Sequence, residues 1–229
     1  MLQSGWLMAF EQAGYPPKYY VEQDQGRLVA FMRATGLASL VTFSHDHFYT
    51  TALPLLVDQR DDTILLTGHM PRVNPQSSSL AAHRGLVLFQ GPQAYIRSNW
   101  YPTEQRDPRT TPTWNYISVR AEGMVETFEG PTELHDHLRL LSDHFEAEFP
   151  DPWAITDAPE RFIETMASSL VGFTMRVERL SGIWKLHQNH PLENRHGVIA
   201  GLRSIGDAGG LGVAAAMEND IGRRTATTE

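Results

Sequence analysis

Apolar positions along this chain fall into two rhythms. Leu28, Phe31, Met32 and Ala34 recur at helical spacing behind Asp24, a favoured N-cap, and the stretch stops at Gly36, the residue type suited to a left-handed C′ position. A helix is expected there. Runs rich in β-branched and aromatic residues then follow at 38–44, 48–57, 63–67, 86–89, 94–98, 114–128 and 170–180. The joints "SHDH" and "DQRDD" are turn-like, so the first three runs should form an antiparallel meander. Many short strands predict a barrel or sandwich, because closing a sheet removes its vulnerable edges. Two helices interrupt the strands, as an insertion over about 131–169. Pro131 suits a first helical position with Leu134, Leu138, Leu141 and Phe145 on one stripe, and Asp157 with Glu160 reads as a capping box ahead of Phe162, Ile163 and Met166. The connection between these helices is far longer than the ~3–4-residue turn of a helix-turn-helix. Residues 1–14 read as an N-terminal extension, and from Arg203 to the end Gly, Ala and Thr dominate without periodicity, which reads as a tail. The fold class expected is mainly β with flanking helices (α+β), its main domain spanning 15–202.

Composition narrows the function. The 229 residues, 41% of them hydrophobic, are ample for one large domain with a real core. Acidic residues outnumber basic ones 27 to 19, a formal charge of -8, so the averaged field repels polyanions and DNA binding would need a local basic patch. The only basic concentrations are Arg106 with Arg109 and Arg223 with Arg224. Cysteine is absent, which removes disulfides, thiol nucleophiles and thiolate metal sites. The first fourteen residues lack a basic n-region and a long apolar core, so neither a signal peptide nor a membrane span is expected, and the protein reads as soluble and cytoplasmic. "HDH" occurs at 45–47 and again at 135–137, but there is no HExxH pair, and a two-residue spacing on a helix points histidines to different faces. Solvated histidines and no metal site are expected. "GDAGGLG" near the end is preceded by no strand and so is no dinucleotide loop. No nucleophile elbow, P-loop or acid pair is present, and no catalytic residue is assigned.

Two stretches carry candidate chemistry. "TGHMPRVNPQ", residues 67–76, follows the apolar run Ile64, Leu65, Leu66. Asn74 is a favoured N-cap and Pro75 a favoured first helical residue, so a short helix should start there, with His69 and Arg72 standing before its N-terminus. Helix amides and an arginine fork together suit phosphate oxygens. "YIRSNWYP" and "PTWNY" place Trp100, Tyr101, Trp114 and Tyr116 on neighbouring β segments, where a flat ring system could stack.

With "YPPKYY", "FMRATGLASLVT", "ALPLLVD", "GHMPRVNPQ", "GPQAYIRSNWY", "PTWNY", "PWAITDAP", "LVGF" and "KLHQNHPLENRHGV" in order over residues 15 to about 202, the chain resembles the FMN-binding negative transcriptional regulators, the PaiB-like proteins. The resemblance implies an FMN-binding split β-barrel akin to pyridoxamine-phosphate oxidases and flavin reductases, a homodimer, and FMN as cofactor. It further implies that the segment with Thr51, Leu53 and Leu55 lines the flavin ring edge, that Thr67, His69, Arg72 and Asn74 receive the phosphate, and that Trp100 or Trp114 closes the site. DNA is a partner by resemblance alone, against the charge. The chain departs from the family pattern at Arg97-Ser98-Asn99, at Arg120 and at His187, and Arg97 and Arg120 could replace neutral contacts with salt bridges. Three functions follow in order: a flavin- or redox-linked negative regulator of transcription, a flavin-dependent oxidoreductase acting on a nicotinamide or small acceptor, and a haem-binding split-barrel protein.

Overall fold

The computed structural model describes residues 15–81, 83–105 and 109–226, so the N-terminal extension and Arg106 lie outside the described residues. Eight strands are formed among them: β1 (Val21–Glu22), β2 (Leu37–Ser44), β3 (His47–Pro54), β4 (Leu56–Arg60), β5 (Thr63–Pro71), β6 (Arg84–Ile96), β7 (Thr113–Phe128) and β8 (Leu170–Lys185). They lie in the order β3-β2-β6-β7-β8-β5-β4, with β1 on β8. The pairings β2 with β3, β4 with β5 and β5 with β8 are all antiparallel. The chain divides into two compact units, one of residues 24–89 and 119–180, the other of the described parts of 15–23, 90–118 and 181–226.

In the first unit, helix α1 (Gln25–Thr35) starts where the Asp24 carboxylate accepts the Arg27 amide at 3.1 Å and stops at Gly36, φ 65°. A side chain at Gly36 would be strained by that φ and would meet the Phe145 ring at 2.7 Å. The expected meander is replaced by two antiparallel hairpins, β2 with β3 and β4 with β5, at opposite ends of the strand order; the run at 48–57 is two strands, the amide of Leu55 bonding the Gly36 carbonyl instead of a sheet partner. Leu40, Leu53, Leu55, Leu66, Val87, Phe89, Val119, Phe173 and Met175 form the buried interior of this unit. Helices α2 (Pro131–Glu146) and α3 (Glu160–Ser168) enclose a second cluster of Leu134, Leu138, Ile155, Ile163, Ala167 and Leu170, with Phe128 against it. The capping box expected at Asp157 does not form. Asp157 closes a 3-10 turn, its carboxylate accepting the Ala154 amide at 2.8 Å, and Pro159 precedes the first residue of α3.

In the second unit, β1 pairs with β8 through Val21↔Ile183 and Glu22↔Gly182. The stretch read as a tail is helical: α4 (Leu192–Ile205) is followed by α5 (Ala208–Ala226). Its small residues allow close packing; a side chain at Gly212 would meet Pro92 at 2.7 Å, and one at Gly209 the carbonyl of Gln93 at 2.6 Å. Val213, Ala214 and Met217 are buried, and the 2%-exposed Asp220 receives Arg195 of α4 at 2.7 Å and Arg224 at 2.9 Å. The runs at 86–89 and 94–98 are one strand, β6, which carries Gly91 and Pro92 through without a break.

Candidate functional site

β5 runs past Thr67 to Pro71, beyond the run expected at 63–67, so the opening of "TGHMPRVNPQ" is strand. In register, Thr67 faces Leu56 on one side and Thr174 on the other, and His69 faces Gly172. The expected helix at Pro75 is a 3-10 turn of five residues, Pro75–Ser79, too short to have a macrodipole of consequence. Asn74 does cap it: its Oδ1 accepts the Gln76 amide at 3.0 Å. Polar side chains stand around this turn.

Those side chains form a closed network. Asn74 Nδ2 donates to Thr51 Oγ1 at 2.9 Å, and the Thr51 hydroxyl donates onward to Gln76 Oε1 at 2.6 Å. Gln76, 1% exposed, donates its amide hydrogens to the Leu40 carbonyl at 3.2 Å and to Thr42 Oγ1 at 3.1 Å. Gln76 thus ties the turn to β2 and β3, a residue the sequence did not single out. Arg72 is held by its Nε to the Ser168 carbonyl at 3.0 Å and by Nη1 to Glu129 at 2.6 Å, while its main chain bonds Ser169 and Ser77. Its second amino group has no partner among the described residues.

His69 is half-buried, with Nδ1 3.0 Å from Nε2 of His137 on α2. Burial lowers the pKa of both; His137, whose neighbour His69 adds to the effect, is brought down to about 4. His137 is 4% exposed, which corrects the expectation that the "HDH" histidines are solvated, whereas His135 and His47 are exposed. Helical geometry is the reason: of two residues two apart, one faces the Leu134–Leu138 side and the other faces away. Leu53 and Leu55 are 3% and 1% exposed, with their side chains in the interior. Thr51, Leu53, Leu55, Thr67, His69, Arg72 and Asn74 thus all belong to the first unit.

The two tryptophans belong to the second unit. Trp100 lies over α4, where a side chain at Gly201 would meet its ring at 2.4 Å. Trp114 is 53% exposed, edge-on to the equally open Tyr95 at 5.8 Å. Tyr101 is buried and engages His187 at 2.6 Å, with Asn115 on the other ring nitrogen at 2.7 Å. At the departures, Arg120 forms a salt bridge to Glu122 at 3.1 Å, where Arg179 also converges, and His187 joins neutral partners. Among the described residues no group of three or more His, Cys, Asp or Glu could hold a metal ion.

The family model described as "Putative FMN-binding domain" matches residues 14–179. The chain belongs to this FMN-binding family. FMN is accordingly the cofactor of the class, and the strands and inserted helices of the first unit fall inside the matched span. The chain is 30% identical to the protease synthase and sporulation protein PAI 2 of Bacillus subtilis over 90% of this chain and 98% of that one. It is 32% identical to an uncharacterized protein of Aspergillus fumigatus over 65% of this chain and 70% of that one. Among solved structures, the FAD and heme binding protein from Mycobacterium smegmatis aligns with TM-score 0.54 at 14% identity, covering 80% of each chain. The flavocytochrome Anf3 from Azotobacter vinelandii aligns with TM-score 0.51 at 13% identity, covering 72% of this chain and 69% of that one. These likenesses give the fold: an antiparallel split barrel with flanking helices.

Proposed function

We propose that the first unit holds FMN by its phosphate, through Thr67, His69, Arg72 and Asn74, and that the bound flavin serves a regulatory role. The observation that carries this reading is the network of Thr51, Asn74 and Gln76. It spends the acceptors of these side chains on one another while leaving donors uncommitted: the second amide hydrogen of Asn74 and one amino group of Arg72. Hydroxyl, amide, imidazole and guanidinium donors without a competing acceptor on the same residues suit a phosphate dianion. Glu129 balances part of the Arg72 charge and orients the fork. The main chain at 51–55 would border the ring edge, with Leu53 and Leu55 as the apolar layer beneath it. Trp114, open beside Tyr95, offers a flat surface for stacking in its own unit. When bound, FMN supplies one- and two-electron redox chemistry; the chain supplies binding and electrostatics.

The regulatory reading is supported by the Bacillus relative, whose name ties that protein to protease synthesis and sporulation. Isothermal titration with FMN and riboflavin tests the site. Arg72→Ala should lose about 1.5 to 3 kcal/mol of FMN affinity, the range for hydrogen bonds to charged groups, and little riboflavin affinity. Equal losses for both ligands would make Arg72 a structural residue.

A further inference from the structure

Between His69 Nδ1 and His137 Nε2, 3.0 Å apart, there is room for one hydrogen. Its owner decides what the rest of each ring can do, because a neutral imidazole has one donor and one acceptor. If His69 owned it, neutral His137 would carry its own hydrogen on Nδ1. That atom is buried and has no partner. It lies in apolar surroundings: His137 is on the face of α2 that carries Leu134 and Leu138, with Phe128 edge-on at 5.9 Å. An N–H stranded there costs more than a stranded lone pair, since orphaned buried donors are the rarer case in folded proteins. Protonating both rings would bury a charge in the same apolar setting. The arrangement left is His137 with its hydrogen on Nε2, donating to a bare His69 Nδ1.

We propose that His137 is a positioning residue that fixes His69 as a neutral Nε2–H donor, aimed at an acceptor oxygen of the bound ligand. His69 Nε2 has no partner among the described residues, so its hydrogen is available. The functional half of this inference rests on the phosphate reading above, under which the acceptor is a phosphate oxygen of FMN. A hydrogen on Nε2 also leaves His69 without a free lone pair on that atom, so it cannot serve as an axial ligand to haem iron in this state.

Nitrogen-15 NMR of histidine-labelled protein, without ligand, reads the tautomers directly. Both rings should show a protonated Nε2 and a bare Nδ1 at neutral pH; a protonated Nδ1 on His69 overturns the proposal whatever the ligand does. Binding then tests the role. His137→Gln, whose carboxamide can donate in place of Nε2–H, should keep FMN affinity near that of the unaltered protein. His137→Leu should lose affinity for FMN on the order of severalfold to tenfold, with riboflavin unchanged. Unaltered FMN affinity in His137→Leu overturns the positioning role. If the unaltered protein shows the expected tautomers but binds FMN no better than riboflavin, the phosphate reading fails while the proton arrangement stands. Should His137→Leu not fold, the spectrum of the unaltered protein and the His137→Gln titration still decide the matter.

Discussion

Gln76 shows how much one buried side chain can determine. It satisfies the Leu40 carbonyl, Thr42 and Thr51 at once, so truncation would strand several polar groups rather than one. Gln76→Ala should cost at least about 1–3 kcal/mol of stability, the penalty for unsatisfied buried groups, measured by urea denaturation, and should also weaken FMN binding by loosening Asn74. Buried histidines set a second expectation. His187, held between Asn115 and Tyr101, is brought down to about 3, chiefly by burial, as His137 is to about 4. The unfolded chain protonates these rings near their ordinary pKa of about 6.5 while the folded one refuses the proton. Stability from this source is therefore complete above about pH 6.5 and is lost as pH falls through the window down to about 3–4, each ring adding a slope of up to about 1.4 kcal/mol per pH unit. Denaturation at pH 7.5 and pH 5 checks this, and His137→Gln should flatten the decline. The Asn74 cap was legible in the sequence because Asn followed by Pro marks a local event. Gln76 and His137 were not, because their partners lie on strands remote in sequence, and composition cannot report which face of a helix meets them.

At the scale of elements, local chemistry foretold α1 and α2 from their end signals and apolar stripes, whereas α5 escaped notice. Its Gly and Ala content carries no amphipathic rhythm, because those residues serve close approach to Pro92 and the Gln93 carbonyl. What holds α5 is partly ionic. Asp220 accepts from Arg195, itself 5% exposed, and from Arg224, while Arg223 reaches Glu22 of β1 at 3.4 Å. Removing the acid would leave a buried guanidinium uncompensated, so Asp220→Ala should cost about 3–5 kcal/mol in thermal or denaturant unfolding, and Asp220→Asn less. A neutral result would mean that water reaches Arg195. The strands were foreseen in kind but not in extent. β5 runs on past Thr67 because its pairing with β8, from Leu65↔Arg176 to Pro71↔Leu170, outweighs local preference, and β8 runs on to Lys185 with β1 as its partner through Val21↔Ile183 and Glu22↔Gly182.

Across the whole molecule, charge argues against direct contact with DNA. The formal charge is -8, and Glu133, Asp136, Asp143, Glu160 and Glu164 stand exposed on α2 and α3. Arg223 and Arg224 are committed to Asp220. No operator-specific mobility shift is expected at physiological salt from the isolated protein, with or without FMN; tight, salt-sensitive binding to one site would restore direct repression. Slow reduction of bound flavin by NAD(P)H fits the regulatory reading, and rapid turnover with a defined acceptor would replace it with an oxidoreductase. The resemblance implies a symmetric homodimer, which light scattering should report; a monomer that keeps its flavin would contradict it. One consequence concerns the contact of His69 with His137. A ligand that engages β5 through His69 draws on a bond whose other end is rooted in the middle of α2, in an insertion that also carries the exposed Phe149, Trp153 and Phe162. Occupancy at the strand is then reciprocally linked to the openings of that helix. Amide hydrogen exchange in α2 should slow when FMN is added, and the inserted helices would carry news of the flavin to whatever the surface above them meets.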